Sequence, residues 1–157
     1  MRLKTSYSSR EVAALTGLTA RQLQGWDANR VFLSAIASRR TSLGGFTERR
    51  YTPVDVLELL ALADLRRRGF PPAALKQLMD TLRDCFRRRL SETLDDAGEM
   101  RLLTDGKGLF LRTKHGHIFD LLVDPTQPLI TGDGLPLKAV NGRARRQRPR
   151  KPRKPHK

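Results

Sequence analysis

Apolar and polar positions follow a helical period over two short stretches near the N-terminus. In the first, Val12 and Leu15 share a helix face, and Ser8 and Glu11 have the spacing of a capping box. This pattern predicts a helix over about residues 9–15.

Gly17 follows, a residue that readily adopts the positive φ of a tight helix exit. Thr19 and Gln22 repeat the capping-box spacing and predict a second helix over about residues 20–27. The apolar positions able to face the first helix are Leu18, Leu23 and Trp26. Two short helices across a tight turn are a helix-turn-helix arrangement.

Residues 31–51 lack a helical period. Gly44 and Gly45 lie at the centre of this stretch, so it is predicted to form a loop and a short basic β-hairpin. The arginines around the glycines are Arg39, Arg40, Arg49 and Arg50.

Two longer amphipathic helices are predicted next. Thr52 as cap, Pro53 in the first turn and Asp55 two residues later mark the start of a helix that runs to about Arg68. After Pro71 and Pro72, helical spacing predicts a fourth helix to about residue 94. Its apolar stripe is Leu75, Leu78, Met79, Leu82, Phe86 and Leu90.

Beyond Gly98 the pattern changes to short β-like runs over residues 101–104, 109–114 and 117–123, separated by glycine-containing turns. His115-Gly116 fits a two-residue hairpin turn. A small antiparallel meander is expected. For residues 129–131 and 135–140 the sequence leaves both a further strand and a packed loop open.

The strongly positive net charge of the chain indicates a polyanionic partner. The 157 residues hold 31 Lys and Arg against 16 Asp and Glu, for a net charge of +15. Nine of the basic residues lie in 143–157, which leaves +6 on residues 1–142. The tail has too little apolar surface to fold and is rich in proline, so it is expected to be disordered when free. This excess of basic over acidic residues favours nucleic acid as the partner.

The sequence also argues against several classes of protein. Cys85 is the single cysteine, which excludes an intramolecular disulfide and a Cys-rich zinc module. We expect Cys85 to be buried and structural, and His115 and His117 to be exposed turn residues. The longest apolar run, residues 59–63, is far shorter than the ~20 residues that span a bilayer. No catalytic triad or phosphate-binding loop is recognisable, so a cytoplasmic, non-enzymatic protein without cofactors is expected.

Residues 7 to about 82 resemble the DNA-binding domain of MerR-type transcription regulators. The matching features are Tyr7-Ser8, Glu11-Val12-Ala13, Thr16-Gly17-Leu18-Thr19, Trp26-Asp27, Arg49-Arg50-Tyr51-Thr52, Asp55-Val56 and Leu65-Arg66 followed by Gly69-Phe70. The resemblance implies a helix-turn-helix in the major groove, a basic wing on the DNA backbone and a helix pair that supports the wing.

The chain departs from the family pattern at several positions. Where many members read Thr-Leu-Arg-Tyr-Tyr-Glu, residues 22–27 put Gln24 and Gly25 in place of the Arg and the first Tyr. The wing is longer, and the Gly-Tyr that usually precedes its arginine reads Thr47-Glu48. Family members usually dimerise through a long helix, whereas here the helical pattern fades by about residue 94. A dimer would therefore use the stripe from Leu78 to Leu90, the β meander, or both.

The candidate DNA contacts follow from chemistry as well as from the resemblance. Arginine can bridge guanine O6 and N7, and glutamine can pair with adenine. The predicted base-reading residues are Arg21, Gln22 and Gln24, and the predicted phosphate contacts are Arg39, Arg40, Arg49 and Arg50. The Tyr51 hydroxyl is included with the DNA contacts, with packing at the wing base as its alternative, and Trp26 is expected in the core. The nonspecific tail contacts are Arg143, Arg145, Arg146, Arg148, Arg150, Lys151, Arg153 and Lys154.

Together these observations predict an α+β protein in four parts. A mainly α winged helix-turn-helix domain (1–70) is followed by a connecting or dimerisation helix (71–97), a small antiparallel β module (98–140) and a disordered basic tail (141–157). The expected function is a sequence-specific transcriptional regulator that binds double-stranded DNA as a homodimer. An architectural or recombination-accessory DNA-binding protein and a tail-driven RNA-binding protein remain alternatives. A meander of about 40 residues leaves little room for an effector pocket.

Overall fold

The computed structural model describes residues 5–34, 39–40, 47–129 and 136–141, with the backbone alone at 39–40 and 47–48. The helices are α1 (Ser9–Thr16), α2 (Ala20–Ala28), α3 (Pro53–Arg67) and α4 (Pro72–Phe86), and a 3-10 turn spans Leu90–Thr93. The strands are β1 (Tyr7–Ser8), β2 (Arg39–Arg40), β3 (Thr47–Glu48), β4 (Arg50–Tyr51), β5 (Met100–Thr104), β6 (Leu109–Thr113), β7 (Ile118–Asp120), β8 (Asp124–Pro128) and β9 (Lys138–Ala139). No helix within these described ranges is both long and apolar enough to cross a membrane.

Side-chain caps fix the starts of the first three helices as the sequence predicts. Ser8 with Glu11 and Thr19 with Gln22 form reciprocal capping boxes at α1 and α2, and Gly17 ends α1 at φ 78°. At α3 the Thr52 hydroxyl accepts from the Asp55 amide. Each cap satisfies amides that the first helical turn leaves without a partner.

Two short strand pairs lie next to the helix-turn-helix. β2 and β3 are antiparallel, with Arg39 opposite Glu48, which agrees with the predicted hairpin. The predicted glycine turn, Gly44 and Gly45, falls outside the described residues. β4 pairs instead with β1, where Tyr7 lies opposite Tyr51, so the sequence reading missed a strand at the N-terminus.

The fourth helix ends at Phe86 and not at about residue 94 as predicted. Arg87 adopts a left-handed conformation with φ 51°, and its amide bonds the Leu82 carbonyl. Three consecutive arginines, Arg87 to Arg89, follow the last helical residue. The chain reverses there and enters the 3-10 turn.

The C-terminal part is a five-stranded sheet in the order β8-β7-β6-β5-β9, with all pairs antiparallel. The predicted meander corresponds to β5, β6 and β7. For residues 135–140 the sequence left a strand and a packed loop open. Within this range Lys138–Ala139 form the strand β9, which pairs with β5. The sequence reading missed β8, whose two prolines are tolerated because this strand lies at the sheet edge. The β6–β7 turn has three residues, Lys114 to Gly116, since the Thr113 amide donates to the His117 carbonyl.

The helices and the sheet share one hydrophobic core. Phe86 of α4 makes an edge-to-face contact with Phe119 of β7, with ring centroids 5.2 Å apart. Leu78, Leu82 and Leu90 are at most 1% exposed. The predicted dimerisation stripe is therefore buried within the chain itself and leaves no free apolar face at these three positions.

Two predictions at the ends of elements need correction. Cys85 is exposed, not buried, because α4 ends one residue later and Phe86 is the residue that packs against the sheet. Asn141, assigned to the disordered tail, accepts a hydrogen bond from Arg101. The rest of the predicted tail lies outside the described residues.

Candidate nucleic-acid interface

Helix α2 presents a polar face to solvent and an apolar face to the core. Arg21 and Gln24, one turn apart, are exposed, whereas Leu23 and Trp26 are 3% and 5% exposed. The core role expected for Trp26 is confirmed. Arg21 and Gln24 therefore share the solvent-exposed side of α2.

Gln22 is placed differently from its two predicted companions. Its side-chain oxygen accepts from the Thr19 amide at 2.9 Å, which completes the cap of α2. The capping geometry leaves the side-chain NH₂ group as its remaining donor. Gln22 thus fixes the start of the helix in addition to any contact with a base.

The turn between α1 and α2 is held from two sides. The Thr16 hydroxyl donates to the Val12 carbonyl at 2.8 Å and accepts from the Leu18 amide at 3.2 Å. Arg67, at the end of α3, donates to the Thr16 carbonyl at 3.2 Å. The orientation of α2 relative to α1 is therefore coupled to α3.

The arginines after β3 are tied to the helix-turn-helix. Arg49 Nε lies 2.8 Å from the Asp27 carboxylate at the end of α2. Arg50 Nη2 donates to the Ser6 hydroxyl at 2.7 Å, and the Arg50 carbonyl accepts from the Ser34 hydroxyl. Both guanidinium groups are thus placed beside the helix-turn-helix.

Tyr51 lies in the core and does not reach the surface. It is 2% exposed, and burial raises the pKa of its hydroxyl above the ordinary value, while hydrogen bonding to Ser9 and the charge of Arg49 act in the opposite direction. This geometry corrects its inclusion among the DNA contacts and supports the alternative of packing at the base of β4.

Several predicted contacts have no described placement. The side chains of Arg39 and Arg40 are outside the described part of the chain, although their backbone forms β2. The eight tail residues from Arg143 to Lys154 also lie outside it. Of the predicted contacts whose side chains are described, Arg21 and Gln24 lie exposed on α2. Arg49 and Arg50 lie beside the helix-turn-helix, bonded to Asp27 and Ser6.

Sequence reasoning missed three residues that position this surface. Asp27 was noted only as part of a motif, and Ser6 and Arg67 were not singled out. Arg67 is one of three consecutive arginines, and the periodicity of α3 does not show which of them reaches the preceding turn. The Trp26-Asp27 pair, an aromatic residue followed by an acid, could have pointed to Asp27 as a residue that holds a basic partner.

Metal-ligating side chains do not form a donor cluster in the described part of the chain. Across the residues whose placement is described, no three His, Cys, Asp or Glu side chains come together as a possible metal site. His115 and His117 are exposed beside the β6–β7 turn, as predicted.

Replacing Gly25 by alanine is expected to raise the free energy of unfolding by about 0.5–1 kcal/mol, because glycine inside a helix costs about that much relative to alanine. A Cβ at this position meets nothing within 4 Å. Urea unfolding of the two proteins measures the difference. Equal or lower stability of Gly25→Ala would contradict the expectation.

Comparison with known proteins assigns the helix-turn-helix part to a family. A search of curated proteins finds no match. Residues 7–82 match the family model described as MerR HTH family regulatory protein, and this range runs from β1 into the last turns of α4. The chain therefore carries, over residues 7–82, a helix-turn-helix domain of the MerR family of regulatory proteins.

Proposed function

We propose that the protein is a sequence-specific transcriptional regulator that inserts α2 into the major groove of duplex DNA. The observation that carries this proposal is the pair of exposed side chains, Arg21 and Gln24, on a helix that is capped at its start and held by the turn before it. The MerR-family match supports DNA binding as the general activity.

Groove reading follows from the placement of α2. The N-terminal amides and the positive end of the helix dipole favour approach to phosphate, and the first two turns reach base edges. Arg21 binds guanine through O6 and N7, and Gln24 pairs with adenine. Gln22 contributes its remaining donor group.

The basic hairpin positions the protein on the DNA backbone without reading sequence. Arg49 is bonded to Asp27 near the end of α2, and Arg50 is bonded to Ser6 just before β1, so a phosphate contact made by Arg49 is coupled directly to α2. Arg39 and Arg40 belong to the opposite strand of the hairpin and complete a proposed wing.

The tail adds affinity that is independent of sequence. Each phosphate that a protein neutralises lowers the slope of log K against log salt by about 0.9. Removing residues 142–157, with their nine Lys and Arg, is expected to weaken binding to all duplexes by a similar factor and to make the salt slope shallower by several units. Binding titrations over a range of KCl concentrations measure both. An unchanged slope would show that the tail does not contact DNA.

The proposed assembly is a cytoplasmic homodimer on a two-fold-related DNA site. Since Leu78, Leu82 and Leu90 are buried in the chain, the proposal assigns dimerisation to the β meander, the other of the two predicted surfaces. No small-molecule effector is part of the proposal.

One pair of experiments separates this function from its alternatives. Footprinting of the full chain on genomic DNA should protect single, discrete sites, whereas protection of long or repeated tracts would indicate an architectural protein. Competition between duplex DNA and RNA should favour duplex DNA. Preference for RNA by a chain shortened to residues 1–141 would contradict the proposal.

A further inference from the structure

We infer that Arg67 is a positioning residue that sets the orientation of α2 for groove reading by holding the turn between α1 and α2. The inference rests on the proposed function and assigns part of its specificity to a residue of α3, outside the helix-turn-helix itself.

The first observation is the hydrogen bond across the turn. Thr16 is the last residue of α1, and the carbonyls of a last helical turn have no partner within the helix. Arg67 Nη1 donates to the Thr16 carbonyl at 3.2 Å, from a residue far away in the sequence. A positive charge at this helix end also interacts favourably with the dipole of α1.

The second observation is the packing of the guanidinium over the turn. Gly17 has no side chain, and the position that a Cβ would occupy there lies 3.6 Å from Arg67 Nη1. The guanidinium therefore lies directly beside the turn. On its other side, Arg67 Nη2 lies 4.0 Å from the Asp64 carboxylate. The guanidinium therefore spans from α3 to the point where the chain turns from α1 into α2.

The third observation separates positioning from core packing. The Arg67 side chain is 37% exposed, so its loss opens no cavity in the core. The Thr16 hydroxyl bonds and the capping box of α2 do not involve Arg67, so a change at Arg67 is expected to leave them in place. What changes is how firmly α2 is held relative to α3, and base reading depends on side chains held to within about 0.5 Å.

The structure offers a matched control at the same helix end. Arg68 carries the same charge and bonds the same Asp64, with Nε at 2.9 Å, and its described contacts do not include the turn. Arg67→Gln and Arg68→Gln therefore remove equal charge from neighbouring positions. Arg67→Lys keeps the charge and N–H donors at a single nitrogen, without the planar group that spans two partners.

The experiment measures the affinity of the full chain for a duplex selected from a random pool and for a random-sequence duplex, together with the melting temperature. For Arg67→Gln we expect the ratio of the two affinities to fall by about 10–150-fold, the size of a lost hydrogen bond to a charged group. Affinity for the random duplex should match that of Arg68→Gln, and Arg67→Lys should give an intermediate ratio.

Three results would overturn the inference. If Arg67→Gln keeps the same affinity ratio as Arg68→Gln, Arg67 does not position α2, and the proposed function stands. If both affinities fall equally with a large drop in melting temperature, its role is in stability alone. If Arg67→Gln does not fold, a wild-type ratio in Arg67→Lys contradicts the role of the spanning guanidinium. A wild-type protein with no sequence preference would refute the proposed function itself.

Discussion

Replacing Arg101 by methionine is expected to lower the free energy of unfolding by about 3–5 kcal/mol, a large share of the roughly 5–15 kcal/mol that stabilises a domain. Arg101 lies on β5 with a side chain only 5% exposed. Methionine keeps much of its apolar stem and removes every donor.

The effect is large because one guanidinium satisfies several buried acceptors. Arg101 Nη1 donates to the carbonyls of Thr93 at 3.0 Å and Val140 at 2.6 Å. Its Nη2 bonds the Asn141 side chain at 2.5 Å, and its Nε bonds Asp96 at 2.8 Å. Without it, two buried carbonyls lose this donor, and the segment after β9 loses the side-chain bonds at Val140 and Asn141, while the backbone pairing of β9 with β5 remains.

Arg112 is the matched control, since it lies directly opposite Arg101 on β6 and is exposed. Arg112→Met should change stability by less than about 0.5 kcal/mol, as for most surface substitutions. Urea unfolding of the full chain measures both variants. Equal losses of stability at the two positions would contradict the role given to the Arg101 hydrogen bonds. Proteolysis should show earlier release of the C-terminal segment in Arg101→Met than in Arg112→Met.

Replacing Arg21 by alanine is expected to weaken binding to a selected duplex by about 10–100-fold, because a bidentate contact to one base pair is worth about 1–3 kcal/mol. Arg21 is exposed in the first turn of α2 and does not take part in the cap formed by Thr19 and Gln22. Its loss should therefore leave the melting temperature nearly unchanged.

The pattern of loss distinguishes base reading from simple charge. Lys76→Ala removes an exposed positive charge from α4 and should reduce affinity for all duplexes by a small, similar factor. Arg21→Ala should remove preference at one base-pair position. Equal, sequence-independent losses in the two variants would show that Arg21 contacts phosphate only.

Local signals in the sequence were enough to predict the helix-turn-helix. The caps at Ser8, Thr19 and Thr52 and the exit at Gly17 depend on residues close together in the chain, and their geometry follows the predicted spacing. The exposed face of α2 followed from the burial of Leu23 and Trp26. Such features are encoded within one or two helical turns.

Features that depend on distant parts of the chain were not predictable in the same way. The apolar period continues to Leu90, but α4 ends at Phe86, where the sheet packs. The exposure of Cys85 follows from that early end. β8 contains two prolines, and a strand tolerates them only at the edge of a sheet, a position that the local sequence does not reveal.

The same limit applies to the candidate site. The contact of Arg67 with Thr16 and that of Arg49 with Asp27 join residues that are far apart in sequence. Their positions are determined by how α3 and the hairpin pack against α1 and α2. Composition and periodicity identified the basic residues of this part of the chain but not the partners that hold them.

Selection of binding sites from a random duplex pool with residues 1–157 distinguishes groove reading by α2 from binding through charge alone. We expect a short enriched motif that contains at least one invariant guanine, and Arg21→Ala should lose information at that position. Two-fold symmetry in the motif would report a dimer. Recovery of a pool with no enriched sequence, bound in proportion to charge and weakened equally by salt for all members, would contradict groove reading by α2.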